Sequence, residues 1–380
     1  MQLKLAALAA VACLWLVAEG ASAQDLPSSV TGPYVEYQRA LETGDEAAAY
    51  DAARRAFEAG EAERIDRETL GLLAENFGAA AAALGNFERA YEIWRDAARL
   101  GERAGIEPAD QAWREFNTAR AAYRSGQTRD ARRFADDALE NLELAREAGG
   151  TYPAFVGDLA VLGAQLSAEA GRWAKARNRA GAALLVFAQS GREPDGLYAQ
   201  AYYIAAIARF VVERDKDAAL YHSMMAEFIL SSLPDEGPAL ALARSVRTIA
   251  ADDTEEQRLA VAERLRADPL YQARYARWEE PPEASEADGY VDVVLLERHE
   301  PEFPYRAANR GLQGIVSVSF DIDEGGRVVD PRVVEGMPTG AFDQAGLAAM
   351  RGWRFDPALQ DGEPVYREDY VTSFVFWLSN

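Results

Sequence analysis

The chain has 380 residues, and its 62 acidic and 40 basic side chains give a formal net charge of −22 at pH 7. Hydrophobic residues make up 49% and charged residues 27%, the proportions of a folded soluble protein, and the length predicts two or three domains. So acidic a surface repels phosphate backbones, which excludes nucleic-acid binding through a basic patch. One cysteine, Cys13, and two histidines, His222 and His299, are too few for a disulfide framework or a zinc site. We therefore predict neither a metal nor another cofactor.

The amino terminus has the pattern of a secretory signal peptide over Met1–Ala23. Lys4 is followed by an apolar run, Leu5–Ala18, and Ala21-Ser22-Ala23 is a small-x-small cleavage site. As a helix the apolar run would reach only about 21 Å, short of the roughly 30 Å hydrocarbon core of a bilayer. We expect cleavage and a periplasmic mature chain, with an uncleaved inner-membrane anchor as the alternative.

A long repetitive region follows, over residues 34–278, and its richness in Ala, Leu, Glu and Arg favours helices. Gly44, Gly85, Gly126 and Gly171 are spaced by 41, 41 and 45 residues. An alanine stands five residues after each glycine and another twelve after it: Ala49 and Ala56, Ala90 and Ala97, Ala131 and Ala138, Ala176 and Ala183. A degenerate fifth copy is predicted near Glu213, with Ala218 and Met225 at the matching positions. These offsets put small residues on one helix face, where a second helix can approach closely, and the glycine permits a tight turn. The pattern predicts a solenoid of helical hairpins.

The segment Gly85–Ala97 resembles the second half of a tetratricopeptide repeat, and the segment Gly171–Ala183 is similar. The period is longer than in that family. The resemblance implies a concave surface that binds a peptide or protein, with a spacer or an oligomerisation element as the alternative. His222 falls at a packing position of the fifth copy and is interpreted as a core residue. The aromatic residues of the region are also interpreted as core residues, among them Trp94, Trp113, Trp173, Tyr202 and Tyr203.

Residues 279–289 are acidic and contain Pro281-Pro282, which is typical of a linker. A domain over residues 290–380 follows, with strand-like alternation. Strands are predicted over Val291–Glu297, Gly314–Ile322 and Arg327–Glu335, the last two joined by a glycine-containing hairpin turn.

A helix capped by Thr339 is predicted next, with Phe342 and Trp353 on its apolar face. Trp353, Phe355 and Pro357 are interpreted as core residues that continue this face. The chain ends in a strand over Tyr366–Leu378. One side of that strand is predicted to be buried, through Tyr370, Phe374, Phe376 and Leu378, and the other side carries Val371, Ser373, Val375 and Trp377. The whole is a small α+β domain.

This domain resembles the TonB carboxy-terminal domain. The resemblance rests on ordered landmarks across Asp288–Asn380: Phe303-Pro304-Tyr305-Arg306-Ala307-Ala308, Gly311-Leu312-Gln313-Gly314, Phe320-Asp321-Ile322, Gly325-Gly326-Arg327-Val328, Phe342-Asp343 and Trp353-Arg354-Phe355-Asp356-Pro357. TonB-like proteins link the energised inner membrane to outer-membrane receptors, and their terminal domain binds a short receptor peptide as an added strand. The resemblance implies that the partner is an outer-membrane receptor peptide or another envelope protein, and the last strand, with an apolar outward face, is a template for adding that peptide. In the alternative, this strand is covered by a second copy of the domain, as a homodimer, or by the solenoid. By resemblance the partner-binding residues are Glu300, Phe303, Pro304, Val371, Ser373, Val375 and Trp377. Acidic Glu300 and Glu302 stand where the family has a polar amide, which alters the expected peptide preference.

Three functional hypotheses follow. The first is a non-enzymatic periplasmic adaptor that binds an extended peptide by strand addition, in transport coupling or envelope assembly. The second is a membrane-anchored TonB-type energy transducer, although the 279–289 linker would span only about 34 Å as polyproline II. The third is an enzyme, against which the sequence has no Gly-x-Ser-x-Gly motif, phosphate-binding glycine loop or His–Glu metal helix. We therefore predict that the chain is not an enzyme.

Overall fold

The computed structural model describes residues 26–149, 152–234, 237–252, 254–275 and 289–378. The chain divides into two compact units between Gly163 and Ala164, inside helix α7 (Val156–Glu169). The predicted signal peptide lies outside the described residues, as does the predicted linker except Gly289. No helix within the described ranges is long and apolar enough to cross a membrane.

The first unit is helical, and each of its helices α1 to α6 packs against the next. Their bounds are Ser28–Thr43, Glu46–Glu63, Arg67–Ala83, Phe87–Ala104, Pro108–Arg124 and Thr128–Glu147. The second unit continues with α8 (Trp173–Ser190), α9 (Gly196–Ala208), a π-helical segment (Arg209–Glu213), α10 (Lys216–Leu230), α11 (Gly237–Ala250), α12 (Glu255–Ala267) and α13 (Pro269–Tyr275). Within this unit α8 packs on α9, α9 on α10 and α10 on α11. Both units therefore contain the paired helices that the repeat pattern predicted.

The glycines and alanines of the repeat have the backbone conformation and the burial that their predicted roles require. The four glycines have φ values of 70°, 74°, 81° and 70°, in the left-handed region that glycine adopts without strain. The residue after the glycine caps the next helix in two copies, where Asp45 accepts a hydrogen bond from the Ala48 N–H and Asn86 from the Arg89 N–H. The eight repeat alanines are each at most 2% exposed. The glycine turn and the close helix contact are both confirmed.

The fifth copy begins one residue later than predicted. Arg214 takes the glycine position with a φ of 54°, and Asp215 caps α10 by accepting from the Ala218 N–H. The repeat alanines are therefore Ala219 and Ala226, both fully buried, and the prediction of Ala218 and Met225 was wrong by one position. The preceding π-helical segment explains the slip, because a π turn accommodates one residue more than an α turn.

Helix α8 offers a matched pair of glycines that tests the turn argument. Gly191 ends the helix at a φ of 64°, whereas Gly181 lies exposed inside it, and a Cβ at either position would meet nothing within 4 Å. We expect Gly191→Ala to destabilise the chain by about 1 kcal/mol, because alanine is strained in the left-handed region. Gly181→Ala should stabilise it by about 0.5–1 kcal/mol through helix propensity. Urea unfolding of both variants checks the opposite signs, and two equal effects would contradict the argument.

The terminal domain contains eight strands and two short helices among the described residues. The strands are β1 (Tyr290–Val291), β2 (Val294–Glu297), β3 (Gly314–Ile322), β4 (Val328–Met337), β5 (Arg354–Asp356), β6 (Ala358–Gln360), β7 (Glu363–Val365) and β8 (Arg367–Phe376). The helices are α14 (Tyr305–Asn309) and α15 (Asp343–Met350). The main sheet has the antiparallel order β4-β3-β8, while β1 pairs with β6 and β2 with β5. This is the predicted α+β architecture.

Two local predictions in this domain need correction. Thr339 does not cap a helix, because a turn with Gly340 at a φ of 72° intervenes and α15 begins only at Asp343. The single strand predicted over Val291–Glu297 is two strands, since β1 and β2 have different partners.

One face of the main sheet packs on α15 to form the core of the terminal domain. Trp353 and Phe355, predicted to be core residues, are 2% and 3% exposed and pack among the buried side chains of β3 and β8. Pro357, predicted with them, is half-buried, as is Leu378, which follows the end of β8.

Candidate functional site

The final strand β8 is an edge strand of the main sheet. Its register with β3 runs from Phe376 opposite Gly314 to Tyr370 opposite Phe320, so one edge of β8 is paired with β3. Across the residues that the structure describes, no strand pairs with the other edge. Such an edge offers a row of backbone N–H and C=O groups that can pair with another chain.

The side chains of β8 that were expected to face outward are instead directed at the helices of the same unit. The hydroxyl oxygen of Ser373, a residue only 1% exposed, lies 2.7 Å from that of Ser317 on β3 and 2.7 Å from that of Ser245 on α11. Val371, Val375 and Trp377 share this face of the sheet by alternation, and all three are half-buried. The prediction of an outward apolar face is corrected here, and the alternative that the helical repeat region covers this face applies, because α11 packs against β8.

Two further contacts hold the helices on this second face of the sheet. The Tyr203 hydroxyl of α9 donates to the Glu335 carboxylate of β4, and both residues are buried. Burial raises the pKa of Tyr203 well above its usual range, and the charge of Glu335 adds to the effect, so this hydroxyl stays a donor. The Trp377 ring meets Phe210 edge to face at 5.1 Å, and its Nε1 donates to the Phe210 carbonyl over 3.3 Å.

The repeat glycine of the fourth copy lies beside the same sheet. A Cβ on Gly171 would come within 2.9 Å of Pro338, and the Trp173 Nε1 donates to the Gln313 carbonyl over 2.8 Å. In addition the Thr339 N–H donates to the Glu169 carbonyl. The repeat turn thus serves both to join two helices and to seat the terminal domain.

The second predicted contact segment, ahead of α14, adjoins the end of β8. Phe303 packs between Phe342 and Phe376, with its ring centroid 5.8 Å from each. Pro304 is half-buried at the N-cap position of α14. Glu300, with 71% of its side chain exposed, forms an ion pair with Arg298 over 2.8 Å. The structure therefore brings the two predicted regions together at Phe303 and Phe376.

The beginning of β8 is held by an aspartate. The Asp321 carboxylate accepts hydrogen bonds from the Tyr366 hydroxyl and the Asp369 N–H, each over 2.9 Å. The bond to Asp321 raises the pKa of Tyr366 to about 12. Glu302 is exposed ahead of α14, whereas Glu300 is paired with Arg298, and Arg214 donates a hydrogen bond to the Leu378 carbonyl just past β8, so the charges beside the open edge are of both signs.

Sequence reasoning identified Tyr203 and Trp173 only as core residues and missed their role against the sheet, as it missed Ser245. A signal was present, because β8 carries apolar side chains on both faces, Phe374 and Phe376 on one and Val371 and Val375 on the other. A strand of that kind is buried on both faces.

Comparisons with known proteins agree with this geometry for the terminal domain. Residues 299–378 match the family model of the Gram-negative bacterial TonB protein C-terminal domain. The chain is 41% identical over 81 residues to Protein TonB of Yersinia enterocolitica, covering 21% of this chain and 29% of that relative. It is 38% identical over 77 residues to Protein TonB of Pseudomonas aeruginosa, covering 20% of this chain and 22% of that relative. The match thus spans less than a third of the length of either relative.

Solved structures are similar to each part of the chain. The solution NMR structure of the Pseudomonas aeruginosa TonB CTD is 35% identical, covers 23% of this chain and 89% of that chain, and has a TM-score of 0.21. The crystal structure of BtubC from P. vanneervenii is 18% identical, covers 66% and 96%, and has a TM-score of 0.42. That the helices pack in pairs is shown by the contacts between them in the structure of this chain. The terminal domain, with its matched residues 299–378 and its β4-β3-β8 sheet, belongs to the TonB C-terminal family.

Proposed function

We propose that this chain is a non-enzymatic envelope protein that binds an extended peptide of an outer-membrane receptor or another envelope partner by strand addition to β8, in TonB-type transport coupling. The observation that carries the proposal is the open backbone edge of β8 in a TonB C-terminal domain. Strand addition uses main-chain hydrogen bonds for affinity, so it needs a free edge and does not need a free sheet face.

The face of the sheet that the helices cover supports strand addition at the edge as the mode of binding. Because Ser373 contacts Ser245 of α11, the helices take up the sheet surface that a second copy of the domain could otherwise pack on. A partner then has the edge of β8 and the adjoining segment at Phe303 and Glu300 left to contact. The helices α8 to α11 support the domain, and we propose that the repeat region positions it in the envelope.

Val375→Pro tests the proposal. Proline removes a backbone N–H and its ring disturbs strand pairing, so the variant should bind a receptor peptide at least about tenfold more weakly. The measurement is fluorescence anisotropy with a labelled periplasm-facing peptide from an outer-membrane receptor. The matched control is Val334→Pro on β4, the opposite edge strand, where the register with β3 shifts at a bulge; this variant should retain binding.

A second measurement guards against misfolding of Val375→Pro. In the unaltered chain, amides of β8 that face the open edge should exchange more slowly with deuterium once the peptide is bound. Unchanged exchange along β8 in a saturated complex would refute strand addition, even if the proline variant lost binding.

A further inference from the structure

A cavity of about 990 Å³ opens among α8, α9, α10 and the connection between α12 and α13, all within the second unit. Its volume is that of pockets that hold small organic ligands. Aromatic side chains form much of its wall, namely Phe187, Tyr198, Tyr202, Tyr221 and Phe228. None of the described residues of the terminal domain lines this cavity, so it is distinct from the β8 site.

The carboxylate of Asp268, between α12 and α13, lines the cavity without a positive partner. Its Oδ2 accepts hydrogen bonds from the hydroxyls of Tyr202 and Tyr221, over 3.0 Å and 2.6 Å. Its Oδ1 accepts from the N–H groups of Leu270 and Tyr271, over 2.8 Å and 3.1 Å. All four donors are neutral, and no arginine or lysine of the described residues pairs with this aspartate. The half-buried negative charge of Asp268 is therefore not compensated by a cation of the chain.

The two tyrosine hydroxyls at this aspartate can accept further hydrogen bonds but not donate them. Because Tyr202 and Tyr221 give their protons to Asp268, their oxygens have only lone pairs left to offer. Burial raises the pKa of both tyrosines well above the usual range, and the charge of Asp268 contributes, so both hydroxyls keep their protons. The aspartate also polarises the hydroxyls, which strengthens their oxygens as acceptors.

His222 supplies a third acceptor in the same cluster of rings. Its Nδ1 lies 2.6 Å from the Ala218 carbonyl, which can only accept, so Nδ1 carries the proton. Burial lowers the pKa of the ring to about 4, so at pH 7 it is neutral and Nε2 is unprotonated. None of the described residues donates to Nε2. The ring centroid is 4.8 Å from that of Tyr221 and 6.0 Å from that of Tyr202.

The arginines near the cavity are committed to other carboxylates. Arg192 lines the cavity, and its Nε and Nη2 donate to Asp195 over 3.1 Å and 2.5 Å. Its guanidinium carbon also lies 4.5 Å from the centre of the Phe187 ring, so the wall already holds one guanidinium on an aromatic face.

Two more arginines have charges that reach His222, and neither lines the cavity. Arg209 pairs with Glu213 over 2.7 Å, and Arg264 lies 4.0 Å from Asp215. An anionic ligand would thus meet the charge of Asp268 and acceptors that cannot donate to it, whereas a cation with N–H groups meets complementary partners.

We propose that this cavity binds a ligand that carries a guanidinium group. The group donates to the hydroxyl oxygens of Tyr202 and Tyr221 and to Nε2 of His222, while Asp268 behind the tyrosines compensates its charge. A guanidinium fits better than an ammonium, because it is planar, stacks on aromatic rings and has five N–H donors. The group can belong to a free small molecule or to an arginine of a polypeptide.

The test is calorimetric titration of the full chain with N-acetylarginine amide. We expect this probe to bind at least about tenfold more tightly than N-acetylcitrulline amide, which keeps N–H donors but has no charge. Tetramethylammonium, which has the charge but no N–H donor, should also bind at least about tenfold more weakly. Butylguanidinium distinguishes the two sources: binding equal to that of the amide assigns the site to small molecules, and weaker binding assigns it to an arginine within a polypeptide.

Variants locate the site. Asp268→Asn removes the charge and should weaken binding of N-acetylarginine amide at least about tenfold. Tyr221→Phe removes one acceptor and should weaken it severalfold. Glu255→Gln removes an exposed carboxylate at the start of α12 and should leave binding unchanged.

Two outcomes would overturn the proposal. Equal binding of the arginine and citrulline amides would show that the cavity does not select the cation, and full binding by both Asp268→Asn and Tyr221→Phe would place the probe elsewhere. Because Asp268→Asn also alters the start of α13, a measurement on the unaltered chain is added. The Nε2 nitrogen resonance of His222 should shift when N-acetylarginine amide saturates the chain, and an unchanged resonance would refute binding in this cavity.

Discussion

Replacing Trp353 with alanine should lower the free energy of unfolding of the terminal domain by about 3–5 kcal/mol. The indole is 2% exposed and touches three rings, with centroids at 6.3 Å from Phe320, 6.0 Å from Phe355 and 5.4 Å from Phe374. Alanine would leave a cavity among side chains that β3, β5 and β8 hold in place. Denaturant unfolding followed by the methyl and ring NMR signals of this domain measures the loss.

Trp353→Phe separates packing from hydrogen bonding. The Trp353 Nε1 donates to the His299 carbonyl over 3.0 Å and so ties the segment ahead of α14 to the core. Phenylalanine keeps much of the buried ring but leaves that carbonyl without its donor, which should cost about 1–3 kcal/mol. A loss below 1 kcal/mol for Trp353→Ala would show that the core closes around the gap, contrary to the prediction.

The features that the sequence predicted well are those that depend on near neighbours in the chain. The bounds of β3, Gly314–Ile322, follow from strict alternation, and they agree with the structure at both ends. The repeat glycines and alanines were equally readable, because the turn and the close helix contact each require one residue type at a fixed spacing.

The features that the sequence did not predict depend on which surfaces meet. The strands β5, β6 and β7 have three residues each, too few to show alternation. Nothing in the pattern of α11 shows that Ser245 would meet Ser373. A serine in a helix is interpreted as a solvent-facing residue unless the partner surface is known.

In the candidate site too, the features that depend on near neighbours in the chain were predicted and those that depend on which surfaces meet were not. The family motif locates the segment at Phe303 and the strand β8, and the structure joins them through Phe376. The motif does not show which part of β8 is open, because this chain adds helices that cover one face of the sheet. Whether β8 has an open edge depends on the order of the strands, which is known only from the folded sheet.

Acidification should destabilise the second unit through His222, and the effect should reach about 3 kcal/mol by pH 4. Burial lowers the pKa of this histidine from 6.5 to about 4, and the charges of Arg209 and Arg264 lower it further, whereas a hydrogen bond to the Ala218 carbonyl opposes the shift. Its Nδ1 lies 2.6 Å from that carbonyl, and its ring is 4.8 Å from Tyr221. The predicted packing role of His222 agrees with these contacts.

The sign of the effect follows from proton binding. Above pH 6.5 the imidazole is neutral in both the folded and the unfolded chain, so it adds no pH dependence. Between pH 6.5 and pH 4 the unfolded chain binds a proton that the folded chain does not, and stability falls as the pH falls.

His222→Phe removes this proton uptake. The stability of the variant relative to that of the unaltered chain should therefore rise as the pH falls from 6.5 to 4. Urea unfolding at pH 7.5 and pH 4.5 measures the difference, with His299→Phe at the exposed histidine as the control. An imidazole NMR signal of His222 that titrates near pH 6.5 in the folded chain would contradict the prediction, because it would show that the ring is hydrated despite the tyrosines around it.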